Sequence, residues 1–89
     1  MRAVITVIGK DKTGIIAGVS TELAGMNINI LDISQTTMQE YFAMITLVDM
    51  SKTILGFHQV KKQLETRGQE LGMQITIQRE DIFNAMHEV

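Results

Sequence analysis

Eight residues near the N-terminus, Gly9 to Ile16, combine the features of a binding site for a small anion. They read Gly-Lys-Asp-Lys-Thr-Gly-Ile-Ile and join an apolar, β-rich run (Val4–Ile8) to an amphipathic helix. A strand-to-helix corner of this kind exposes unpaired backbone N–H groups at the positive end of the helix dipole. Two glycines let the chain turn sharply and approach a ligand closely. The stretch therefore predicts a receptor for a small carboxylate rather than a catalytic centre.

Other groups that could do chemistry are dispersed along the chain. Asp32 and Asp49 could join Asp11 in an oxygen-ligand site for Mg²⁺ or Ca²⁺, but no loop spacing supports this, and solvated strand ends are the favoured interpretation. The two histidines, His58 and His87, lie far in sequence from any nucleophile and are interpreted as surface residues. We therefore predict no metal, no cofactor and no enzyme activity.

The composition argues against several further kinds of function. The chain has no cysteine, which removes disulfides, thiolate metal sites and cysteine nucleophiles. Its net charge of −2 provides no attraction for nucleic acid or anionic lipid, and three Phe and one Tyr are too few for a base-stacking platform. The apolar run at the N-terminus is too short for a signal peptide or a membrane span, so we expect a cytoplasmic protein.

Hydrophobic periodicity predicts the elements on either side of the corner. The run from Ala3 to Ile8 is β-branched on both faces, as expected for a central strand. Thr13 is the predicted N-cap of the helix that follows, and Gly25 is its predicted left-handed C′ residue. The apolar stripe of this helix comprises Ile15, Ile16, Val19 and Leu23.

The middle of the chain predicts a hairpin of two strands. The first strand runs from Ile28 to about Thr36, and its apolar phase slips between Ile30 and Leu31, which indicates a bulge or strong twist. The second runs over residues 41–48. The connection between them is so short that the two strands should pair antiparallel.

The last third predicts a long helix, a strand and a short helix. Ser51 or Thr53 is expected to cap the long helix, and Gly72 to end it. Residues 73–78 alternate apolar and polar, which favours a half-exposed strand, and residues 80–88 form the short helix. The apolar face of the long helix comprises Phe57, Val60, Leu64 and Leu71.

This order of elements predicts an α+β, ferredoxin-like βαββαβ fold. Right-handed crossovers place both long helices on one face of a four-stranded antiparallel sheet with strand order 4-1-3-2. The short C-terminal helix is left to cover the other face, either of its own sheet or of a neighbour's. All 89 residues belong to one folding unit, and such a small core favours association with a partner subunit.

Two runs placed on this fold resemble the ACT domain family. They are Asp-Lys-Thr-Gly-Ile-Ile at residues 11–16 and Leu-Ala-Gly-Met-Asn-Ile at residues 23–28. The resemblance covers residues 1–79, which we expect to form an ACT domain, with residues 80–89 as a C-terminal helical tail. It is closest to small stand-alone prokaryotic ACT proteins and to the glycine cleavage system transcriptional repressor.

The resemblance implies a regulatory, allosteric module that binds an amino acid or another small molecule between the chains of a homodimer or higher homo-oligomer. It implies that the loop after the first strand contacts the ligand in one chain and that Asn27 of the partner subunit completes the site. Amino-acid-binding members often carry an amide where this chain has Asp11 and a polar side chain where it has Gly9. The predicted ligand-binding residues are Asp11, Lys12, Thr13, Gly14, Ile15, Ile16 and Asn27.

Four other functions were compared with this one. An acylphosphatase on the same topology needs an arginine in the first loop, where this chain has Lys10 and Lys12. An RNA-recognition module needs aromatic residues on its central strands within a basic field, and a metal chaperone needs a cysteine pair. The open alternative is a ligand-free structural ACT domain that interacts with a regulatory protein partner.

Overall fold

The computed structural model describes residues 1–87, so residues 88 and 89, which belong to the predicted tail, lie outside the described residues. Four strands and three helices form in the predicted order. None of these helices is both long and apolar enough to cross a bilayer. The elements are β1 (Arg2–Lys10), α1 (Ile15–Gly25), β2 (Asn29–Met38), β3 (Tyr41–Asp49), α2 (Phe57–Leu71), β4 (Met73–Arg79) and α3 (Glu80–His87).

The four strands form one antiparallel sheet in the order β2-β3-β1-β4. This confirms the predicted strand order, and with it the ferredoxin-like α+β fold. The predicted irregularity in β2 is also present, because Ile30 pairs with Val48 while Asp32 pairs with Leu47, which leaves Leu31 as an extra residue.

The core lies between the sheet and the two long helices. We call the sheet face under α1 and α2 the helix face, and the opposite side the open face. Successive side chains of a strand point to opposite faces, so alternate residues of β1, β3 and β4 fill the core. These residues include Ala3, Ile5, Val7, Phe42, Met44, Val48, Ile75 and Ile77.

The two ends of α1 differ from the prediction. Gly14, not Thr13, is the N-cap, and its left-handed backbone (φ 89°) delays the start of the helix by one residue. Gly25 is the last helical residue, and Asn27 (φ 59°) takes the left-handed conformation instead. Asn tolerates this conformation better than most residues. Each of the two corrections moves a helix boundary by one or two positions. Ile16 is 39% exposed and lies outside the buried stripe.

The prediction for the start of α2 was wrong. Gly56 is the N-cap, and its backbone N–H donates to Oε1 of Gln59 at 3.1 Å. Ser51 and Thr53 belong to the preceding loop, because the chain needs several more residues to travel from β3 to the position where α2 packs. The side chain of Gln59 thus satisfies the N–H of the N-cap residue, which is the reciprocal half of a capping box, and no hydroxyl at the N-cap supplies the other half.

The end of α2 follows the prediction and adds a packing constraint. Gly72 (φ 71°) ends the helix in the left-handed conformation. One turn earlier, Gly68 lies so close to β4 that a Cβ at this position would be 2.7 Å from the carbonyl oxygen of Met73. Helix and strand therefore approach more closely than any side chain at residue 68 would permit.

The hairpin between β2 and β3 is tight. Met38 pairs with Tyr41, so Gln39 and Glu40 form a two-residue turn. Gln39 takes a positive φ of 54°, although the turn contains no Gly, Asn or Asp. The second strand is longer than predicted and continues to Met38 rather than ending near residue 36.

The short helix α3 covers part of the open face of its own sheet. It packs against β1 and β4, and it leaves only 6% of Val4 exposed. Arg2 and Glu80 form an ion pair at 3.0 Å, and the Gln78 side-chain amide lies 3.5 Å from the sulfur of Met86.

Candidate functional site

The first turn of α1 presents backbone donors that the helix itself does not use. The first intrahelical bond runs from the N–H of Gly18 to the carbonyl of Gly14, at 2.8 Å. The N–H groups of residues 15–17 precede it and have no carbonyl partner within the helix. No side chain caps the N-terminus of α1. These donors point out of the helix end at its positive pole.

A shallow depression of about 260 Å³ lies at this helix end. It brings together five of the seven predicted site residues, and leaves out Thr13 and Asn27. The lining residues are Asp11, Lys12, Gly14, Ile15, Ile16, Ala17 and Phe42.

Phe42 was not predicted as a site residue. It lies on β3 directly opposite Gly9 of β1, on the helix face, and is 4% exposed. The pairing register brings it beneath the loop, and nothing local in the sequence marks that position. The one available signal is the aromatic pair Tyr41 and Phe42 at the start of the strand that pairs with β1.

The loop is held in place by the β2–β3 hairpin. The backbone N–H of Asp11 donates to the carbonyl of Glu40 at 2.7 Å. Asp11 is exposed, and its carboxylate lies at the rim of the depression. It can therefore reach a bound ligand without first breaking a contact in the core.

Lys12 lines the depression, but its ammonium group points elsewhere. A Cβ built on Gly72 would lie 3.1 Å from Nζ of Lys12, which places the ammonium at the C-terminal end of α2. That helix has no basic residue in its own last turn. A positive charge there complements the negative pole of the helix dipole, so Lys12 has a structural role besides any contact with a ligand.

Asn27 lies at the other end of α1 from the loop. An eleven-residue helix is about 16 Å long, so the structure does not bring Asn27 and the depression of the same chain together. Its side-chain amide donates to the carbonyl of Lys52 at 3.0 Å. Asn27 can contact a ligand at the loop only if that loop belongs to another copy of the chain.

The three aspartates considered as a metal site do not converge. Asp49 pairs with Arg2 at the start of β1, whereas Asp11 follows the end of β1, which separates them by roughly 25–30 Å. The backbone N–H of Ser51, and then its hydroxyl, donate to Asp49 and hold the pKa of that carboxylate below its ordinary value. Within residues 1–87, no group of three or more acidic, His or Cys residues could hold a metal.

Of the two histidines, His58 is exposed near the start of α2, as predicted. The side chain of His87 lies outside the described part of the chain. His58 does not belong to the lining of the depression.

A larger groove of about 680 Å³ runs between α2 and the free edge of β4. Polar side chains of α2, among them Lys61, Glu65 and Gln69, line one side of it, and the edge of β4 lines the other. The helix end that borders it, at Gly72, is the C-terminal end of α2, which presents carbonyl groups and not N–H donors. The smaller depression, at a helix N-terminus, is therefore the better candidate for a small carboxylate.

Comparison with known proteins places this geometry in a family. The model of the ACT domain family matches residues 2–78. A UPF0237 protein from Clostridium acetobutylicum is 62% identical over 89 residues, which is 100% of both chains. The ACT domain protein from Streptococcus pneumoniae has a similar structure, with a TM-score of 0.81 and 44% identity over 100% of this chain and 96% of that one.

A putative glycine cleavage system transcriptional repressor of known structure shares the fold. Its TM-score is 0.75 at 23% identity, and the match covers 86% of this chain and 44% of that one.

Proposed function

The chain belongs to the ACT domain family, whose members are regulatory ligand-binding modules, and on that premise we propose that it binds an amino acid between two copies of itself. The ligand lies between the first strand–helix loop of one chain and the neighbouring chain. Occupancy of this site then regulates a protein partner or the assembly of the chain itself.

The observation that carries the proposal is the uncapped first turn of α1 beside a small depression. The unpaired N–H groups of residues 15–17 can donate to the carboxylate that every free amino acid carries. Asp11 at the rim can accept from the ligand's ammonium group. The two charges of one small zwitterion thus find complementary partners at the same depression.

The size of the depression limits the ligand. Pockets for drug-sized molecules usually measure about 300–1,000 Å³, and this one measures about 260 Å³ before a second chain closes it. Glycine and serine are therefore the first candidates. Each charge-assisted bond contributes about 1.5–3 kcal/mol, and a few of them, set against the lost freedom of the ligand, give micromolar to millimolar affinity.

The lining favours binding over catalysis. The depression presents one carboxylate, Asp11, and the residue Lys12, together with apolar side chains and glycine. It has no hydroxyl, thiol or imidazole among its lining residues. A Ser–His or Cys–His pair, in which a base activates the nucleophile, cannot therefore form within this lining.

Isothermal titration calorimetry of the full chain with glycine and with serine tests this function. We expect the wild-type protein to bind one of them and Asp11→Ala to weaken binding roughly ten- to hundred-fold, the cost of one charge-assisted bond. Asp81→Ala removes an equally exposed carboxylate from α3 and should bind like wild type. If neither binds at millimolar concentration, the remaining amino acids are titrated in the same way, and silence toward all of them would refute the proposal.

The role of Asn27 needs a variant that keeps its backbone. Asn27→Gly retains the positive φ (59° in this structure) and removes only the side-chain amide. If Asn27 of the partner subunit contacts the ligand, this variant should lose affinity while its thermal unfolding midpoint changes little. Unchanged affinity would remove Asn27 from the site.

A ligand-free interaction domain is the second candidate. It is favoured by two contacts that already engage polar groups expected at the site: the Asn27 amide on the Lys52 carbonyl, and the Lys12 ammonium at the end of α2. A chain that assembles normally yet binds neither amino acid would support this alternative.

A further inference from the structure

The open face of the sheet carries an apolar surface that α3 leaves uncovered. Ile8 of β1 is 50% exposed and Ile45 of β3 is 46% exposed. The register pairs Thr6 with Ile45 and Ile8 with Ala43, so the two isoleucines are diagonal neighbours within contact distance. We call this surface, extended by its neighbours toward the hairpin, the shelf. The shelf comprises Ile8, Met38, Tyr41, Ala43 and Ile45.

The shelf is unusual for a solvated face. An antiparallel sheet with one face in water normally carries polar side chains there, and the flanking strands do so: β4 contributes Gln74 and Thr76, and β2 contributes Ser34 and Thr36. On the central strands the corresponding positions are mainly apolar, with Ile8 beside Thr6 on β1 and Ala43 and Ile45 on β3. A contiguous apolar patch rimmed by polar residues is typical of an interaction surface.

The other half of the open face is covered by α3, which itself exposes two apolar side chains. Ile82 is 48% exposed and Met86 is 60% exposed. We call these two side chains the ridge. Ridge and shelf lie side by side on one face, because α3 packs on β1 and β4 while the shelf continues along β1 and β3.

The combined apolar area is close to what a stable interface needs. A large side chain offers on the order of 200 Å² when fully exposed, so ridge and shelf together present roughly 600 Å². That is about a tenth of the chain's 5745 Å² surface. A standard interface buries about 800 Å² per partner, and the polar rim can supply the remainder.

We propose that a second copy of this chain packs on the open face, with the ridge of each copy on the shelf of the other. A two-fold axis between the two sheets makes this arrangement self-complementary, as an isologous interface requires. The interface lies on the opposite side of the sheet from α1, and it is independent of the proposed ligand. A chain that also completes the ligand site with a neighbour would then assemble as a tetramer.

Measurement of the solution mass by light scattering tests the interface. Ile45→Glu places a charge in the shelf at a half-exposed position, and should halve the wild-type mass while the circular dichroism spectrum is unchanged. Ile54→Glu is the matched control, because Ile54 is 99% exposed in the loop before α2. The proposal is overturned if Ile45→Glu keeps the wild-type mass from micromolar to hundred-micromolar concentration, or if the wild-type chain is monomeric throughout.

The masses also separate this interface from the one in the proposed function. A tetramer that Ile45→Glu reduces to a dimer supports both. A dimer that it reduces to a monomer, also with glycine or serine present at millimolar concentration, supports the open-face contact and contradicts the part of the proposed function that needs a neighbour at the loop.

Chemical cross-linking tests the arrangement itself, and does not depend on how a charged variant folds. The natural chain has no cysteine, so single cysteines can be placed without background. Tagged Ile82→Cys chains mixed with untagged Ile45→Cys chains should be joined by a short bismaleimide linker many times more efficiently than when mixed with Ile54→Cys chains. Equal yields in the two mixtures would overturn the packing of ridge on shelf.

Discussion

Gly14 shows how one residue shapes the candidate site. Its φ of 89° is available to glycine at little cost, and a Cβ there would meet no atom within 4 Å. The backbone conformation at residue 14, and not a lack of space, therefore restricts which amino acids fit there. Through that conformation, the chain turns from the loop into α1 without a side-chain cap, which is what leaves the first donors of the helix unpaired.

Gly14→Ala should therefore destabilise the fold by about 1–2 kcal/mol, the cost of a left-handed conformation for a residue with a Cβ. Gly25→Ala is the control, since Gly25 lies in α1 with equally open space, and there the change should be neutral or stabilising by up to about 1 kcal/mol. Urea unfolding measures both. Equal effects of the two substitutions would contradict this account of the turn.

Single residues were also where prediction from the sequence was least accurate. Thr13 has the chemistry of an N-cap and Gly25 that of a C′ residue, yet Gly14 and Asn27 take those positions. Both choices in each pair are good local solutions, and the difference is decided by how α1 packs on the sheet. Local propensity cannot distinguish them.

Among the secondary-structure elements, α2 and β4 approach each other closely at Gly68. Gly68 is buried there, and a Cβ would lie 2.7 Å from the carbonyl oxygen of Met73, a backbone atom that cannot rotate away. By helix propensity alone, a glycine inside α2 weakens the helix. The structure supplies the reason for its presence, because the close approach of helix and strand depends on it.

Gly68→Ala should destabilise the protein by about 1–2 kcal/mol, because overpacking outweighs the gain in helix propensity. Gly18→Ala makes the same change in α1, where the nearest atoms are the methyl groups of Leu71 at 3.2 Å, which can move. It should be close to neutral. If thermal unfolding shows Gly68→Ala to be as stable as wild type, the helix–strand contact is looser than described.

The elements themselves could be predicted well. Alternation in β4 and the phase slip at Leu31 are direct consequences of side-chain geometry, and both appear in the structure. The start of α2 could not be predicted, because the loop before it is long enough to offer several caps. Phe42 lines the depression because β3 pairs with β1. Local sequence patterns do not predict which residues of two strands pair.

At the scale of the whole molecule, stability should depend on protein concentration. Association stabilises the folded chain by mass action. A hundred-fold increase in concentration should raise the midpoint of thermal unfolding by about 5–10 °C for a dimer of domains this small. Calorimetry at two concentrations measures this, and Ile45→Glu should reduce the shift. A midpoint that does not move with concentration would argue against any homo-oligomer.

The candidate site could be predicted only in part, because part of it lies beyond one chain. The loop from Asp11 to Ile16 is a local feature, and five of the predicted residues meet in one depression. Asn27 is one helix length away and donates to Lys52. Whether it contacts a ligand depends on the arrangement of a second chain, which the sequence constrains only through the family resemblance.

The short bond between the Asp11 N–H and the Glu40 carbonyl, at 2.7 Å, has a mechanical consequence. Glu40 sits in a two-residue turn with little slack of its own. If the loop after β1 moves, either this hydrogen bond breaks or the turn moves with the loop. The turn is continuous with β2, an edge strand of the sheet. A displacement at the start of α1 is therefore transmitted to β2, whose outer edge has no paired strand within the single chain.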